Sequence, residues 1–140
     1  MPIFKNVVYR ETDGKDRIVL RGPGKTNLSP PPEFGGKEDA LSPEEMFVGA
    51  INGCLLLTFI YFAKQHTVEM TSYHAEATGE VKKGKEGFRF VKVTVQARVT
   101  VDKKERVAEI EKISHLAERF CLISQSVSCP VQYQVEVQVK

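Results

Sequence analysis

Residues 42–64 read SPEEMFVGAINGCLLLTFIYFAK, the longest apolar segment of the chain. Ser42, Pro43 and Glu45 predict a helix start, because the serine can cap the first turn, the proline presets φ and the glutamate completes a capping box. Residues 46–63 are apolar on all sides, unlike those of an amphipathic surface helix. We therefore expect a long helix that is covered on every side, by protein or by a membrane.

The length and the neighbours of this helix argue against the membrane alternative. A membrane span needs about 20 apolar residues, whereas the apolar run has 18 and is interrupted by Gly49, Asn52 and Gly53. The segments on both sides predict strands with one apolar face each, and such faces need an apolar partner. We expect a buried central helix and no membrane span.

Two short strands are predicted before the helix. Residues 3–9 and 17–21 are rich in apolar and β-branched side chains, and Asp13 and Gly14 between them are typical of a hairpin turn. Residues 22–42 contain four glycines and four of the seven prolines. They predict a long irregular loop, and loops of that length in compact domains are usually functional or disordered.

Two strands, a helix and a last strand are predicted after the central helix. Residues 68–82 and 88–101 predict a hairpin whose second strand alternates apolar and polar side chains. A helix with one apolar stripe is expected to begin after Asp102 as its N-cap and to end near Leu122. Residues 131–139 alternate again and predict a half-buried antiparallel strand.

The predicted order is ββ-α-ββ-α-β, an α+β fold in one domain over residues 1–140. A chain of 140 residues covers only part of an all-apolar helix. We therefore expect a homodimer whose antiparallel sheets enclose two such helices.

Composition restricts the function and the location. The net charge is +2, and Lys and Arg are dispersed among Asp and Glu, which gives little support for nucleic-acid binding. The N-terminal residues lack the charged and apolar regions of a signal peptide. Three cysteines in such a chain favour a reducing compartment, and we expect a cytoplasmic protein.

The three cysteines, Cys54, Cys121 and Cys129, are the candidates for chemistry. Each taken alone could simply pack, since free cysteine is among the most buried residue types. Cys54 and Cys121 lie on two helices that pack against the same sheets, so both thiols should point into one interior. That arrangement is typical of a peroxidatic and a resolving cysteine. Cys129 is interpreted as structural, with a competing resolving role as its alternative.

A thiolate at Cys54 needs a stabilising partner, because an apolar site raises the pKa of a thiol. Cys54 lies about three turns inside its helix, too far for the helix dipole to help. A cation is therefore required, and Glu44 could orient it or could be a plain first-turn carboxylate. A zinc site is not expected, because the spacing between Cys121 and Cys129 is uncommon in zinc sites and the histidines show no ligand spacing.

Two motifs resemble those of the OsmC/Ohr family, whose members reduce organic and inorganic peroxides. Residues 42–54 are similar to the family's helix in which a cysteine follows a glutamate by ten residues, as Cys54 follows Glu44. Residues 117–124, AERFCLIS, are similar to the second cysteine motif, with Cys121 as its cysteine. The closing strand and the order of elements also fit, so the resemblance extends over essentially the whole chain.

The resemblance implies a thiol-dependent hydroperoxide reductase that defends against oxidative stress. It implies that Cys54 is the peroxidatic nucleophile, that Cys121 resolves its sulfenic acid as a disulfide, and that Glu44 holds an arginine that stabilises the thiolate. It also implies an intertwined homodimer with antiparallel sheets around a long buried helix, no metal or organic cofactor, and a dithiol reductant of the lipoyl or thioredoxin type.

The arginine of the family cannot be assigned from the sequence. Residues 22–42 contain none, and Arg10, Arg17 and Arg21 in the first hairpin are the candidates. If it is missing, the chain is instead a non-catalytic protein of the same fold that binds a hydrophobic ligand or acts as a scaffold. A hot-dog-type thioesterase is a third alternative, but it has no use for two paired cysteines.

Overall fold

The computed structural model describes all residues, Met1–Lys140, as an α+β protein. Two compact units, Met1–Phe47 and Val48–Lys140, are described in turn. Short 3-10 turns occupy Pro32–Phe34 and Lys104–Arg106. The helices and strands, in chain order, are β1 Val7–Arg10, β2 Asp16–Val19, β3 Thr26–Leu28, α1 Pro43–Gln65, β4 Ser72–Gly84, β5 Gly87–Val101, α2 Val107–Phe120, α3 Leu122–Gln125 and β6 Val131–Val139.

The first unit contains a three-stranded antiparallel sheet in the order β1-β2-β3. The predicted hairpin is confirmed, although its strands are shorter than 3–9 and 17–21. Gly14 adopts a φ of 85° in the turn, which glycine reaches without steric penalty. The Lys15 N–H donates to Asp13 Oδ1 at 2.9 Å and closes that turn.

The prediction that residues 22–42 are entirely irregular is wrong. Thr26–Leu28 pairs with β2, and Leu28 forms an isolated bridge with Leu41. A strand of three residues is too short to show an alternating pattern. It forms because it pairs with adjacent segments of the same chain, and its own sequence does not indicate that pairing.

The predicted capping box at the start of α1 is confirmed. The Glu45 N–H donates to Ser42 Oγ at 3.1 Å, and the serine hydroxyl donates to Glu45 Oε1 at 2.7 Å. Pro43 is the first helical residue, and the helix ends at Gln65. The local signals therefore predicted the start of the helix correctly.

Only one stripe of α1 is buried within the chain. Leu57 and Tyr61 are 69% and 56% exposed, so the expected enclosure on every side is absent from the single chain. The helix is also long and apolar enough to cross a membrane: its most apolar stretch of 18 residues has a mean hydropathy of 1.9, and 22% of that stretch is buried. Core helices of soluble proteins have the same length and composition. The buried positions, spaced four residues apart, are Ile51, Leu55, Phe59 and Ala63.

The second unit contains the sheet β4-β5-β6. β4 and β5 are antiparallel and joined at Gly84 and Gly87, and a bulge between Glu80 and Val81 interrupts their register. The predicted buried face of β5 is confirmed from residue 93 onward. Its members are Val93, Val95, Ala97, Val99 and Val101.

The prediction that the last strand is antiparallel is wrong, because β6 runs parallel to β5, with Val93 opposite Val131 and Val101 opposite Val139. The chain returns through α2 to the same end of the sheet, which is the crossover that a parallel pair requires. Alternating side chains predict a half-buried strand in either direction and do not give its orientation.

The predicted N-cap of the second helix is also wrong. α2 begins at Val107 after a 3-10 turn, and Asp102 instead accepts a hydrogen bond from Arg106 Nε at 3.3 Å. The helix ends at Phe120, so Cys121 lies outside it, in extended backbone with φ −68° and ψ 112°. α3 then starts at once. The helix stripe Ile110, Ile113 and Ala117 completes the core with Phe59, Val99 and Val101.

Candidate active site

Cys54 and Cys121 are brought together in the Val48–Lys140 unit. The side chains of Cys54 and Cys121 interact: Cys121 lowers the pKa of the Cys54 thiol, and Cys54 raises the pKa of the Cys121 thiol. Cys121 is fully buried, Cys54 is half-buried, and both are free thiols. The two sulfur atoms that the sequence singled out are therefore direct neighbours.

The break between α2 and α3 supplies further donors to Cys54. The first N–H groups of a helix have no partner within the helix. At the start of α3, hydrogen bonding from the backbone of Ile123 and of Leu122 lowers the pKa of the Cys54 thiol. The break at Cys121 thus places one side chain and two backbone groups where they lower the pKa of the Cys54 thiol.

These contacts give the two thiols opposite pKa shifts. Burial raises the pKa of the Cys54 thiol, but hydrogen bonds from Cys121, Ile123, Thr58 and Leu122 outweigh it, and the pKa lies below its usual value. Burial and the hydrogen bond to Cys54 both raise the pKa of the Cys121 thiol. Only the thiolate is nucleophilic, and the lower pKa therefore favours Cys54 over Cys121 as a candidate nucleophile.

Cys54 opens onto an apolar groove of about 610 Å³. Gly49 and Gly53, which have no side chain, lie beside it, and an added Cβ atom at either position would meet no atom within 4 Å. No charged side chain lines the groove. Its larger lining residues are Leu57, Thr58, Tyr61, Phe62 and Phe120.

Glu44 lies in the first unit, where it lines a cavity of about 470 Å³ together with Arg17 and Arg10. Glu44 Oε1 is buried and has no hydrogen-bond partner. The Arg17 side chain is 10% exposed and pairs with Glu11 at 3.0 Å rather than with Glu44. Arg17 is the buried one of the three candidate arginines. The side chain of Arg10 is 70% exposed and forms a salt bridge with Asp16, and Arg21 is exposed.

Cys129 is neither among the groups that shift the pKa of Cys54 nor part of the lining of the groove. Cys129 is a half-buried free thiol in the turn before β6. No group of three or more His, Cys, Asp or Glu side chains is arranged to hold a metal ion.

Three groups of the site were missed in the sequence. The amides of Leu122 and Ile123 become donors only because the chain breaks at Cys121, and no proline or glycine marks that break. The position of Thr58 beside Cys54 was predictable from the sequence, because a residue four positions after Cys54 lies on the same face of the helix.

The comparison with protein-family models identifies the fold. The model described as OsmC-like protein matches residues 36–136, which include both cysteine motifs. The chain belongs to the OsmC-like protein family. The match begins just before α1 and extends into β6, so it includes the whole OsmC-like core around Cys54 and Cys121.

Relatives of this OsmC-like protein extend the comparison. The uncharacterized protein YmaD of Bacillus subtilis is 28% identical over 118 residues, which are 82% of this chain and 79% of YmaD. An OsmC-like protein of unknown function from Vibrio cholerae has a TM-score of 0.85 at 25% identity, covering 97% of this chain and 100% of its own. An organic hydroperoxide resistance protein OsmC from Legionella pneumophila has a TM-score of 0.75 at 19% identity, and the match covers 99% of this chain and 98% of the Legionella protein. The α+β fold is therefore that of OsmC-like proteins.

Proposed function

We propose that this OsmC-like protein is a thiol-dependent peroxidase that reduces organic hydroperoxides to alcohols. One observation carries the proposal: Cys54 lines an apolar groove beside a second thiol, Cys121, and hydrogen bonding from Cys121 and from the backbone of Ile123 and Leu122 lowers the pKa of the Cys54 thiol. An activated sulfur beside a second thiol suits sulfenic acid formation followed by a disulfide. Structural relatives named as organic hydroperoxide resistance proteins support the same class of reaction.

The first step uses Cys54 as the nucleophile. Its thiolate attacks the terminal oxygen of the hydroperoxide, the S–O bond forms as the O–O bond breaks, and the alkoxide takes a proton from water to become the alcohol. The sulfur is oxidised by two electrons to a sulfenic acid, and the peroxide is reduced by two electrons. The hydrogen bonds that lower the pKa of Cys54 favour the thiolate that this step requires.

The second step uses Cys121 as the resolving thiol. Its sulfur attacks the sulfenic sulfur, the S–S bond forms, and the hydroxyl group leaves as water with the proton of the Cys121 thiol. An external dithiol, of the lipoyl or thioredoxin type, then reduces the disulfide by exchange and is itself oxidised to a disulfide. The neighbouring positions of Cys54 and Cys121 support this step.

The groove supports an organic rather than an inorganic substrate. Leu57, Phe62 and Phe120 offer apolar surface beside Cys54, and such surface favours an alkyl chain by about 25 cal/mol for each Å² removed from water. Hydrogen peroxide has no apolar part and gains nothing from these contacts.

We propose Arg17 as the arginine that works with Glu44. Its side chain is the buried one of the three candidates, and the two residues line one cavity. A buried carboxylate oxygen without a donor is unfavourable by about 1–3 kcal/mol, so Glu44 has a free position for a cation. Arg17→Lys and Glu44→Gln should each slow the first step, whereas Arg10→Lys, at an exposed position, should not.

A cytoplasmic homodimer is part of the proposal. Burial of α1 by a second copy would cover the exposed side chains of Leu57 and Tyr61 and would close the groove to water. It would also explain a helix that is apolar on all sides without a membrane. Sedimentation velocity in detergent-free buffer tests this: a dimer is expected, and a stable monomer or a protein found only with membranes contradicts it.

A non-catalytic role in binding an apolar ligand is the second candidate, since an open apolar groove also suits such a ligand. In that case the cysteines would be dispensable for function. Their substitution therefore separates the two candidates.

Steady-state reduction of cumene hydroperoxide with dihydrolipoamide or thioredoxin tests the proposal. We expect Cys54→Ser to abolish turnover and Cys121→Ser to allow a single turnover that leaves an over-oxidisable Cys54. Cys129→Ser is the matched control and should behave like wild type. If wild type and Cys54→Ser consume peroxide equally, the peroxidase proposal fails.

A further inference from the structure

Thr58 contacts Cys54 through its side chain. Its hydroxyl donates to the backbone carbonyl oxygen of Cys54 at 2.7 Å, and the same Oγ1 atom lies 3.8 Å from Cys54 Sγ. Both side chains line the apolar groove. One hydroxyl therefore faces two acceptors of the same residue, one of which is the reactive sulfur.

A threonine is not what packing alone would select at this position. The residues on either side, Leu57 and Phe59, are apolar, and a hydroxyl bonded back to the preceding turn slightly destabilises a helix. Valine has nearly the same shape and carries no polar group. Asn52 is the other polar residue in the apolar run. Its side-chain amide donates to the Ala75 carbonyl oxygen at 3.4 Å and anchors α1 to β4. Thr58 has no such contact with another element among its hydrogen bonds.

The hydroxyl can change acceptor without moving its oxygen. A threonine hydroxyl has one proton, and rotation about the Cβ–Oγ bond directs it to whichever acceptor is stronger. A neutral thiol is a weak acceptor, so the proton goes to the carbonyl oxygen. A thiolate is a charged acceptor and forms a stronger hydrogen bond.

We propose that Thr58 is a further catalytic residue, whose hydroxyl turns from the Cys54 carbonyl to the Cys54 sulfur when that sulfur is ionised. This inference rests on the proposed peroxidase function. The other groups that face the sulfur are the Cys121 thiol and the amides of Leu122 and Ile123, which all come from the α2–α3 break. Thr58 is the donor contributed by α1 itself.

The pH dependence of Cys54 alkylation tests the role of Thr58. Peptide-resolved mass spectrometry after iodoacetamide pulses follows Cys54 in the full-length protein without substitution of the other cysteines. Thr58→Val should move the midpoint to higher pH by about half a unit or more, equivalent to about threefold slower alkylation at pH 7. Thr58→Ser keeps the hydroxyl and should titrate near wild type.

Two further variants make the test decisive. Thr58→Ala favours the helix and replaces the valine variant if that variant does not fold. Tyr61→Phe removes another hydroxyl of the groove and should leave the midpoint unchanged. If Thr58→Val and Thr58→Ala titrate like wild type, or if Tyr61→Phe shifts the midpoint equally, Thr58 has no such role.

Peroxide consumption separates this inference from the function on which it rests. If wild type reduces no hydroperoxide but its Cys54 midpoint depends on Thr58, the peroxidase proposal fails and the contact to the sulfur stands. If wild type reduces cumene hydroperoxide and Thr58→Val does so at the same rate across pH, the peroxidase stands and the catalytic role of Thr58 is wrong.

Discussion

Cys54 and Cys121 shift each other's pKa in opposite directions, although Cys54 lies in the middle of α1 and Cys121 lies between α2 and α3. The contact depends on where α2 ends. If the helix continued past Phe120, the amides of Leu122 and Ile123 would bond within it and could not reach a sulfur atom. The end of one helix and the start of another therefore create the chemical environment of Cys54.

Removal of the Cys121 thiol should make Cys54 less acidic. Cys121→Ala deletes the leading hydrogen bond that lowers the pKa of Cys54 while its burial remains, so the pKa should rise. The thiolate of Cys54 should then form only at higher pH, and alkylation at neutral pH should slow. Thiolate absorbance near 240 nm across pH measures this change, with Cys129→Ala as the control. An unchanged midpoint in Cys121→Ala would contradict the assigned contact.

Addition of a methyl group at Gly79 should destabilise the Val48–Lys140 unit. A Cβ atom there would lie 2.7 Å from side-chain atoms of both Val48 and Phe90, closer than real contacts allow. Overpacking of this kind is typically unfavourable by about 1–3 kcal/mol, and urea unfolding of Gly79→Ala measures it.

Gly49→Ala is the matched control for that experiment. A Cβ atom at Gly49 meets nothing within 4 Å, and alanine favours a helix over glycine by about 1 kcal/mol. Gly49→Ala should therefore be neutral or stabilising. Equal free energies of unfolding for the two variants would contradict the close packing around Gly79.

Two half-buried tyrosines should make the protein less stable in alkali. The hydroxyls of Tyr73 and Tyr133 are hydrogen-bonded to each other at 2.6 Å, and burial raises the pKa of both phenols. In the unfolded chain the phenols ionise near pH 10. Their contribution to stability is therefore complete below about pH 10 and is lost as the pH rises above it, because only the unfolded state releases the protons.

Tyr133→Phe should reduce that pH dependence. The variant loses one hydrogen bond, about 1 kcal/mol at neutral pH, but its free energy of unfolding should fall less steeply between pH 9 and 11. Urea unfolding across that range, with the thiols kept reduced, gives both quantities. A slope as steep as that of wild type would show that Tyr133 does not carry the effect.

Local signals predicted much of this fold. Ser42 and Glu45 fixed the start of α1, and the alternation of β5 gave its buried face, because both depend on residues close in sequence. The parallel orientation of β6 depends on where the crossover places the strand, which no local pattern records. The strand β3 exists only through pairing with β2.

The sequence predicted that Cys54 and Cys121 form the candidate site, but it did not predict the groups that surround Cys54. The apolar patterns of the two helices indicated that Cys54 and Cys121 face one interior. The donors to Cys54 depend on the break after Phe120, which the sequence presents as a continuous helical stripe. The choice among the three arginines depends on burial of Arg17 in the tertiary structure.

Disulfide mapping after one equivalent of cumene hydroperoxide tests the role of the two cysteines most directly. The reduced chain has three free thiols. Wild type should lose two of them, peptide mapping should find Cys54 joined to Cys121, and Cys129 should remain free. Unreacted thiols, or a disulfide that joins Cys129 instead of Cys121 to Cys54, would contradict the assignment of Cys54 and Cys121 as the reactive pair.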